Sequence, residues 1–243
     1  KAKELQTDSS SFSDISHLIN EANKIYFGTL SIDERKFVAV SILHTSNLDK
    51  IKKDSNFKKN LIKTSTLKLK VDNKYVDQLF NQDENSSSLE LLKEKFLEGD
   101  MIQMFTYIWE KVLSIGEEDD FEIELIENTS EKFGLEKPTI NDTKKIGKER
   151  AKISKAIDSI ETGKVAYNKL KAFEKTILLC LMLTECSTID GKISPEDLKV
   201  LKSVFSDQFN ITSNAIPVIL DKKLGYSITK KVDQVEVYRE NYE

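Results

Sequence analysis

The chain has 243 residues, room for one large domain or two small ones at ~100–200 residues each. It is 39% hydrophobic and 32% charged, and 37 Lys+Arg against 41 Asp+Glu leave net −4. That balance announces neither nucleic acid nor an anionic membrane as a partner. Eight Gly and three Pro argue against a turn-dense β sandwich and for long helices with short connections. The longest apolar run, residues 177–183 (ILLCLML), is far short of the ~20 residues of a membrane-spanning helix. Cys180 and Cys186 share one apolar helical stretch at i and i+6, which is neither a disulfide framework nor a zinc ligand set. They are expected to be buried thiols in a reducing, cytoplasmic setting. The numbering opens at Lys1 without Met, which leaves room for residues ahead of it, a targeting segment included.

In chain order, residues 1–13 are polar and serine-rich, a loose lead-in. From Asp14 the spacing of Ile15, Leu18, Ile19, Ala22 and Ile25–Tyr26 predicts a helix, which Gly28 punctuates. A second helix opens at Ser31, where Glu34 completes a capping box, and Phe37, Val38, Ser41, Ile42 and Thr45 form its stripe. Phe57, Leu61 and Ile62 continue in helical spacing. Leu67, Leu69 and Val71 then alternate with Lys68 and Lys70, as either a short strand or a helix end. A helix over 73–80 and the polar break 81–88 follow. Ser88, Leu91, Leu92, Phe96 and Leu97 predict a helix ending at Gly99.

The strongest signal lies between 102 and 134. Ile102, Phe105, Ile108, Trp109, Val112, Leu113 and Ile115 mark a helix buried on more than one side, with Trp109 in the core. After Gly116, seven of eleven residues in EEDDFEIELIE are acidic, yet Phe121, Leu125 and Ile126 keep helical spacing. Acids at a helix N-terminus favour its dipole. Gly134 ends this helix and Pro138 is expected as a stop, so the pair reads as a helical hairpin. Residues 139–143 are the best candidate boundary. Beyond them KKIGKERAKISK carries six basic residues in twelve, with Ile146, Ile153, Ile157 and Ile160 on one face. Lys169–Cys186 is a core helix, and in DGKISPEDL Ser194 caps a new helix with Pro195 at its first position. Leu198–Phe209 is amphipathic. The tail 226–243 has no clear assignment.

Residues 105–135 line up with 174–211: an apolar helix, a Gly-containing acidic turn, a second helix and a terminal Phe. Ile189-Asp190-Gly191-Lys192-Ile193-Ser194-Pro195-Glu196-Asp197, and Ser114-Ile115-Gly116-Glu117 through Glu122, resemble the hairpin turn of the TerB family of small all-helical tellurite-resistance proteins. Ile115 stands where that family has an aspartate. The resemblance implies an all-α fold of stacked helical hairpins, a TerB-like bundle with a second half-repeat. Its layout would be a lead-in and helix at 1–29, a TerB-like domain at 30–139, and a basic linking helix plus partial second copy at 140–243. It also implies a bacterial stress or defence response, cytoplasmic or peripheral to a membrane, and a divalent-cation site at Asp190, Glu196 and Asp197 or at Glu117, Glu118 and Glu122.

Read as chemistry, the same acids have a plainer use. As an EF-hand, Gly191 at loop position 6 puts Cys186 at 1 and Asp197 at 12, a poor calcium loop. Helix capping and the helix dipole account for Glu196 and Asp197 instead. Catalytic groups are scarce: His17 and His44 lie on different predicted helices, and phosphate loops and nucleophile elbows are absent from the sequence. The lysines between Lys50 and Lys74 read as a solvated face, not a nucleic-acid surface. The expectation is therefore a non-catalytic scaffold or adaptor that docks to proteins through the acidic hairpin (Asp119, Asp120, Glu124) and the basic helix (Lys144, Lys145, Lys148, Arg150, Lys152). A cation-responsive regulatory module is the alternative.

Overall fold

The computed structural model describes residues 24–81, 89–161, 167–187 and 193–221, all in helices and short connections with no strand among them. The chain divides into two compact units, Lys1–Gly147 and Lys148–Glu243. The expected boundary at 139–143 lies inside a helix. His17, Asp190, Gly191 and the 226–243 tail lie outside the described residues, as does most of the helix expected from Asp14; Lys24–Tyr26, at its end, are not helical.

In the first unit a 3-10 turn (Phe27–Thr29) leads into α1 (Ile32–Thr45). Ser31 caps α1 as expected: its Oγ accepts from Glu34 N at 3.3 Å while Glu34 Oε2 accepts from Ser31 N at 2.7 Å. The stripe expected on α1 is only part of what it buries. Every residue from Phe37 to Asn47 is buried, because α1 is ringed by α2 (Leu48–Lys53), α4 (Asn73–Asn81), α5 (Leu89–Glu94), α6 (Glu98–Ser114) and α7 (Asp120–Lys132). A helix apolar on all sides is stable only when surrounded in this way.

Between α1 and α4, α3 (Ser55–Lys63) runs into a π turn at Thr64–Lys68. This resolves the alternation at 67–71 as a helix end. Leu69 is buried and Leu67 exposed, and Lys70 reverses the chain at φ 53°. The helix expected to run through Gly99 is two: Leu97 is extended, and Gly99 sits in the first turn of α6. Along α6, Trp109 and Phe105 are fully buried, as the pattern predicted. Helix α7 ends in a Schellman motif, with Gly134 at φ 86°, Gly134 N donating to Glu131 O and Leu135 N to Ser130 O. Pro138 opens the next helix, α8 (Lys137–Glu161), instead of stopping the last one, since a first-turn proline forfeits no helical hydrogen bond. On α8, Gly147 lies so close to α6 that a Cβ there would sit 2.3 Å from Trp109 Cβ.

The second unit packs Ile153, Ala156, Ile157 and Ile160 of α8 against Ile177, Leu178, Cys180 and Leu181 of α9 (Ala172–Cys186). Leu201 of α10 (Pro195–Ser203), Phe205 in a second π turn (Val204–Gln208), and Ile216 and Ile219 of α11 (Ile216–Leu220) close that core. The cap at Ser194 and Pro195 at the first helical position are as expected. Cys180 is buried but Cys186 is exposed, a correction that follows from the two pointing to different sides of α9.

The second unit also repeats the opening of the first at a fixed spacing of 140 residues. The 3-10 turn recurs at Tyr167–Lys169, and Lys171 N donates to Glu174 Oε2 at 2.7 Å just as Ser31 N does to Glu34. Caps Asp54 and Ser194, helices α3 and α10, and the two π turns keep the same register. Asn210 at φ 54° matches Lys70, and Ile211 N to Phe205 O matches Val71 N to Ser65 O. The described residues of 174–211 thus share the order and register of their elements with their counterparts in 34–71.

Candidate functional site

A cleft of about 450 Å³ opens between α2, α3 and α7. Asp54 caps α3, accepting from Asn56 N and Phe57 N, and so fixes Phe57 at the first turn facing α7. There Phe57 meets Phe121 edge to face, with ring centroids 5.3 Å apart. Lys50 Nζ stands 5.4 Å from the Phe57 centroid and 3.6 Å from Glu124 Oε1. Asp49, Lys53 and Leu125 complete the lining. The arrangement is an aromatic floor under charges of both signs. It can hold an apolar side chain and orient charged neighbours.

The acidic hairpin is divided among several tasks. Asp119 caps α7 through Phe121 N at 2.9 Å, and Asp120 lies in the first turn. Glu122 is buried, 3.2 Å from Lys68 Nζ, with Thr64 Oγ1 donating to it at 3.4 Å; Lys68 also donates to the Ile115 carbonyl. Burial pushes the Glu122 carboxyl above the usual carboxylate range, more strongly than Lys68 pulls it down. Glu124 is exposed over the cleft, and Glu117 and Glu118 are exposed in the turn. Glu196 is exposed in the first turn of α10, where Asp197 shares the cap with Ser194. Among the described residues no three His, Cys, Asp or Glu side chains converge on a point where a cation could sit.

The basic helix is partly committed to the fold. Lys144 pairs with Glu127 of α7 at 3.0 Å and lies 4.9 Å over the Trp109 ring, so within the first unit an acidic and a basic candidate segment do meet. In the second unit Arg150 Nε donates to Asn214 O at 2.7 Å, and Lys152 lies 4.3 Å over Phe173. Lys145 and Lys148 are exposed. His44 is a packing residue, buried edge to face on Phe80 at 4.5 Å. Burial, and then the nearby Lys58, lower its pKa to about 4.

Lys50 and Phe57 belong to the cleft although sequence patterning places one in a charged run and the other in a core stripe. The signal that could have found them is Asp54, a capping residue between two short helices, which forces a corner there. Leu179 and Leu183, exposed on α9, are also invisible to a pattern that marks every apolar position as core. No protein-family model, curated protein or solved structure matches this chain.

Proposed function

We propose that this chain is a non-catalytic scaffold or adaptor that docks another protein at the α2–α3–α7 cleft, with the acidic hairpin steering the encounter. The observation that carries this reading is the Phe57–Phe121 floor bordered by Lys50, Asp49 and Glu124. Aromatic anchors ringed by polar groups are the usual core of a protein interface. Glu117, Asp119 and Asp120 extend the negative charge from the cleft along the hairpin turn, which favours a partner segment with an apolar anchor and basic flanks. The resemblance of the 114–122 and 189–197 turns to the TerB family would put such an adaptor in a bacterial stress or defence response.

The test is affinity capture of a partner by the full chain, compared with Glu124→Lys and Phe121→Ala. The expected result is one partner whose recovery falls at about 1 M salt, where the Debye length is ~3 Å, and falls again in Glu124→Lys. Equal recovery with Glu124→Lys and wild type would remove the cleft from the reading. Phe121→Ala checks the aromatic floor, with its melting curve recorded beside it.

A further inference from the structure

The 140-residue repeat separates what a helix start requires from what the α2–α3–α7 cleft adds to it. A cap at Asp54 and at Ser194 opens α3 and α10 alike. In the repeat register Phe57 stands opposite Asp197, which shares the cap with Ser194. Starting the helix therefore requires no aromatic ring at this position. Phe57 and Phe121 are each half-buried, so the rings pack on one another and still face the cleft.

Lys50 stands in that opening. Its Nζ lies 5.4 Å from the Phe57 centroid and 3.6 Å from Glu124 Oε1, beyond hydrogen-bond reach of the carboxylate. Glu124 Oε1 is held in place by Asn128 Nδ2, which donates to it at 3.2 Å from one turn along α7. A ring face and an anchored carboxylate thus meet around one cation, and that cation grips neither. The Lys50 and Glu124 side chains are 47% and 70% exposed, and exposed pairs of this kind are cheaply exchanged. The lining carries Asp49, Asp54 and Glu124 against Lys50 and Lys53, so moving Lys50 aside leaves three carboxylates facing one ammonium.

We infer that Lys50 is a built-in occupant of a cation subsite, and that an arginine of the docking partner takes its place, stacked on Phe57 and paired with Glu124. The inference rests on the cleft being the docking site and names what the cleft selects. A planar guanidinium lies flat on an aromatic face and presents two N–H groups to one carboxylate, whereas a lysine ammonium can only stand between them. An aliphatic neighbour of that arginine then lies on Phe121 and Leu125. The exchange makes the cleft selective: a segment with an apolar anchor alone leaves Lys50 in place and gains nothing from Glu124.

The test uses the full chain and, as probe, a fluorescein-labelled peptide with an Arg-Leu-Arg core between Gly-Ser flanks. It is titrated by anisotropy at about 0.15 M salt, where the Debye length is ~8 Å. Lys50→Gln is expected to bind it roughly three- to fivefold tighter than wild type, because no internal cation has to leave. Lys59→Gln makes the same change of charge at an exposed position of α3 outside the cleft lining, and should alter affinity by less than about 1.5-fold. In Glu124→Gln the peptide binds more weakly and the gain from Lys50→Gln disappears, since both act on one carboxylate. A Lys-Leu-Lys core should bind wild type roughly threefold more weakly. No saturable binding to wild type or to Lys50→Gln overturns the inference, as does an equal gain from Lys50→Gln and Lys59→Gln, or a gain that survives Glu124→Gln. If a captured partner is lost with Glu124→Lys while Lys50→Gln gains nothing, the cleft stands as the docking site and the cation subsite falls. Peptide binding that is the same in Phe121→Ala and Glu124→Lys as in wild type removes the cleft, and the inference with it.

Discussion

Helices α1 and α9 begin with the same 3-10 turn and the same glutamate folded back on the cap position, yet they end in different circumstances. Helix α1 is buried on every side, and α9, with a more apolar sequence, leaves Leu179 and Leu183 in water. Local sequence started both helices equally well. What differs is how much of each helix the described residues of its own unit cover. A helix apolar all round is stable in proportion to the faces covered, so the comparison separates what a helix is from what it is packed in.

The sharpest way to break this comparison is to truncate equivalent leucines. Leu43→Ala empties a site with no exposure and should cost about 3 kcal/mol in urea unfolding. Leu183→Ala should cost less than ~1 kcal/mol, because water already reaches that side chain. Equal costs would mean that the α9 face is covered in solution.

A second contrast is His44 against Thr184, its counterpart. With a folded-state pKa of about 4, below the unfolded value of ~6.5, His44 is neutral in both states above pH 6.5. As pH falls from 6.5 to 4 the unfolded chain takes up a proton that the folded chain refuses, so stability is lost across that window, by up to about 3 kcal/mol. Glu122 acts in the opposite sense: its raised folded pKa makes its contribution more favourable as pH falls through that value toward 4.5. The measurement is therefore the difference in pH slope between wild type and His44→Thr, and parallel slopes would refute the assignment to His44.

Gly147→Ala tests the close approach of α8 to α6. The added Cβ meets Trp109 Cβ at 2.3 Å and the α6 backbone at 3.2 Å, an overpacking expected to cost about 1–3 kcal/mol in the first unit. An unchanged melting temperature would mean that α8 shifts freely. The smallest effect belongs to Lys50→Ala, which removes an exposed ion pair with Glu124 and should change stability by less than ~1 kcal/mol, while freeing Glu124 to tighten the hold on a basic partner in the cleft.

Much of this was legible from residues alone. The capping box at Ser31 and Glu34, the cap and proline at 194–195, the Schellman glycine at 134 and the burial of Trp109 are all encoded within a few positions, because each satisfies backbone groups or apolar surface locally. Two features were misread, because a glycine or a proline marks a helix boundary without saying on which side of it the helix lies. Gly99 opens α6 and Pro138 opens α8, where either residue could equally have ended a helix. At 67–71, where a strand and a helix end were both open, the half-buried Lys68 finds Glu122 and the Ile115 carbonyl at a helix end.

The repeat of 27–71 in 167–211 preserves six identities, Leu30/Leu170, Glu34/Glu174, Leu43/Leu183, Lys52/Lys192, Lys59/Lys199 and Leu61/Leu201, too few to stand out in a lysine-rich helical chain. It emerges only once caps, π turns and positive φ residues are in place. The sequence by itself determined that the described residues are helical, where most of those helices start, and the hairpin at 102–134. The tertiary structure alone decided which apolar faces are covered, that Phe57 and Phe121 meet across a cleft, and that Leu179 and Leu183 of α9 lie exposed. Helix starts are settled by hydrogen bonds within a turn or two, whereas burial is settled by which distant segment arrives to exclude water.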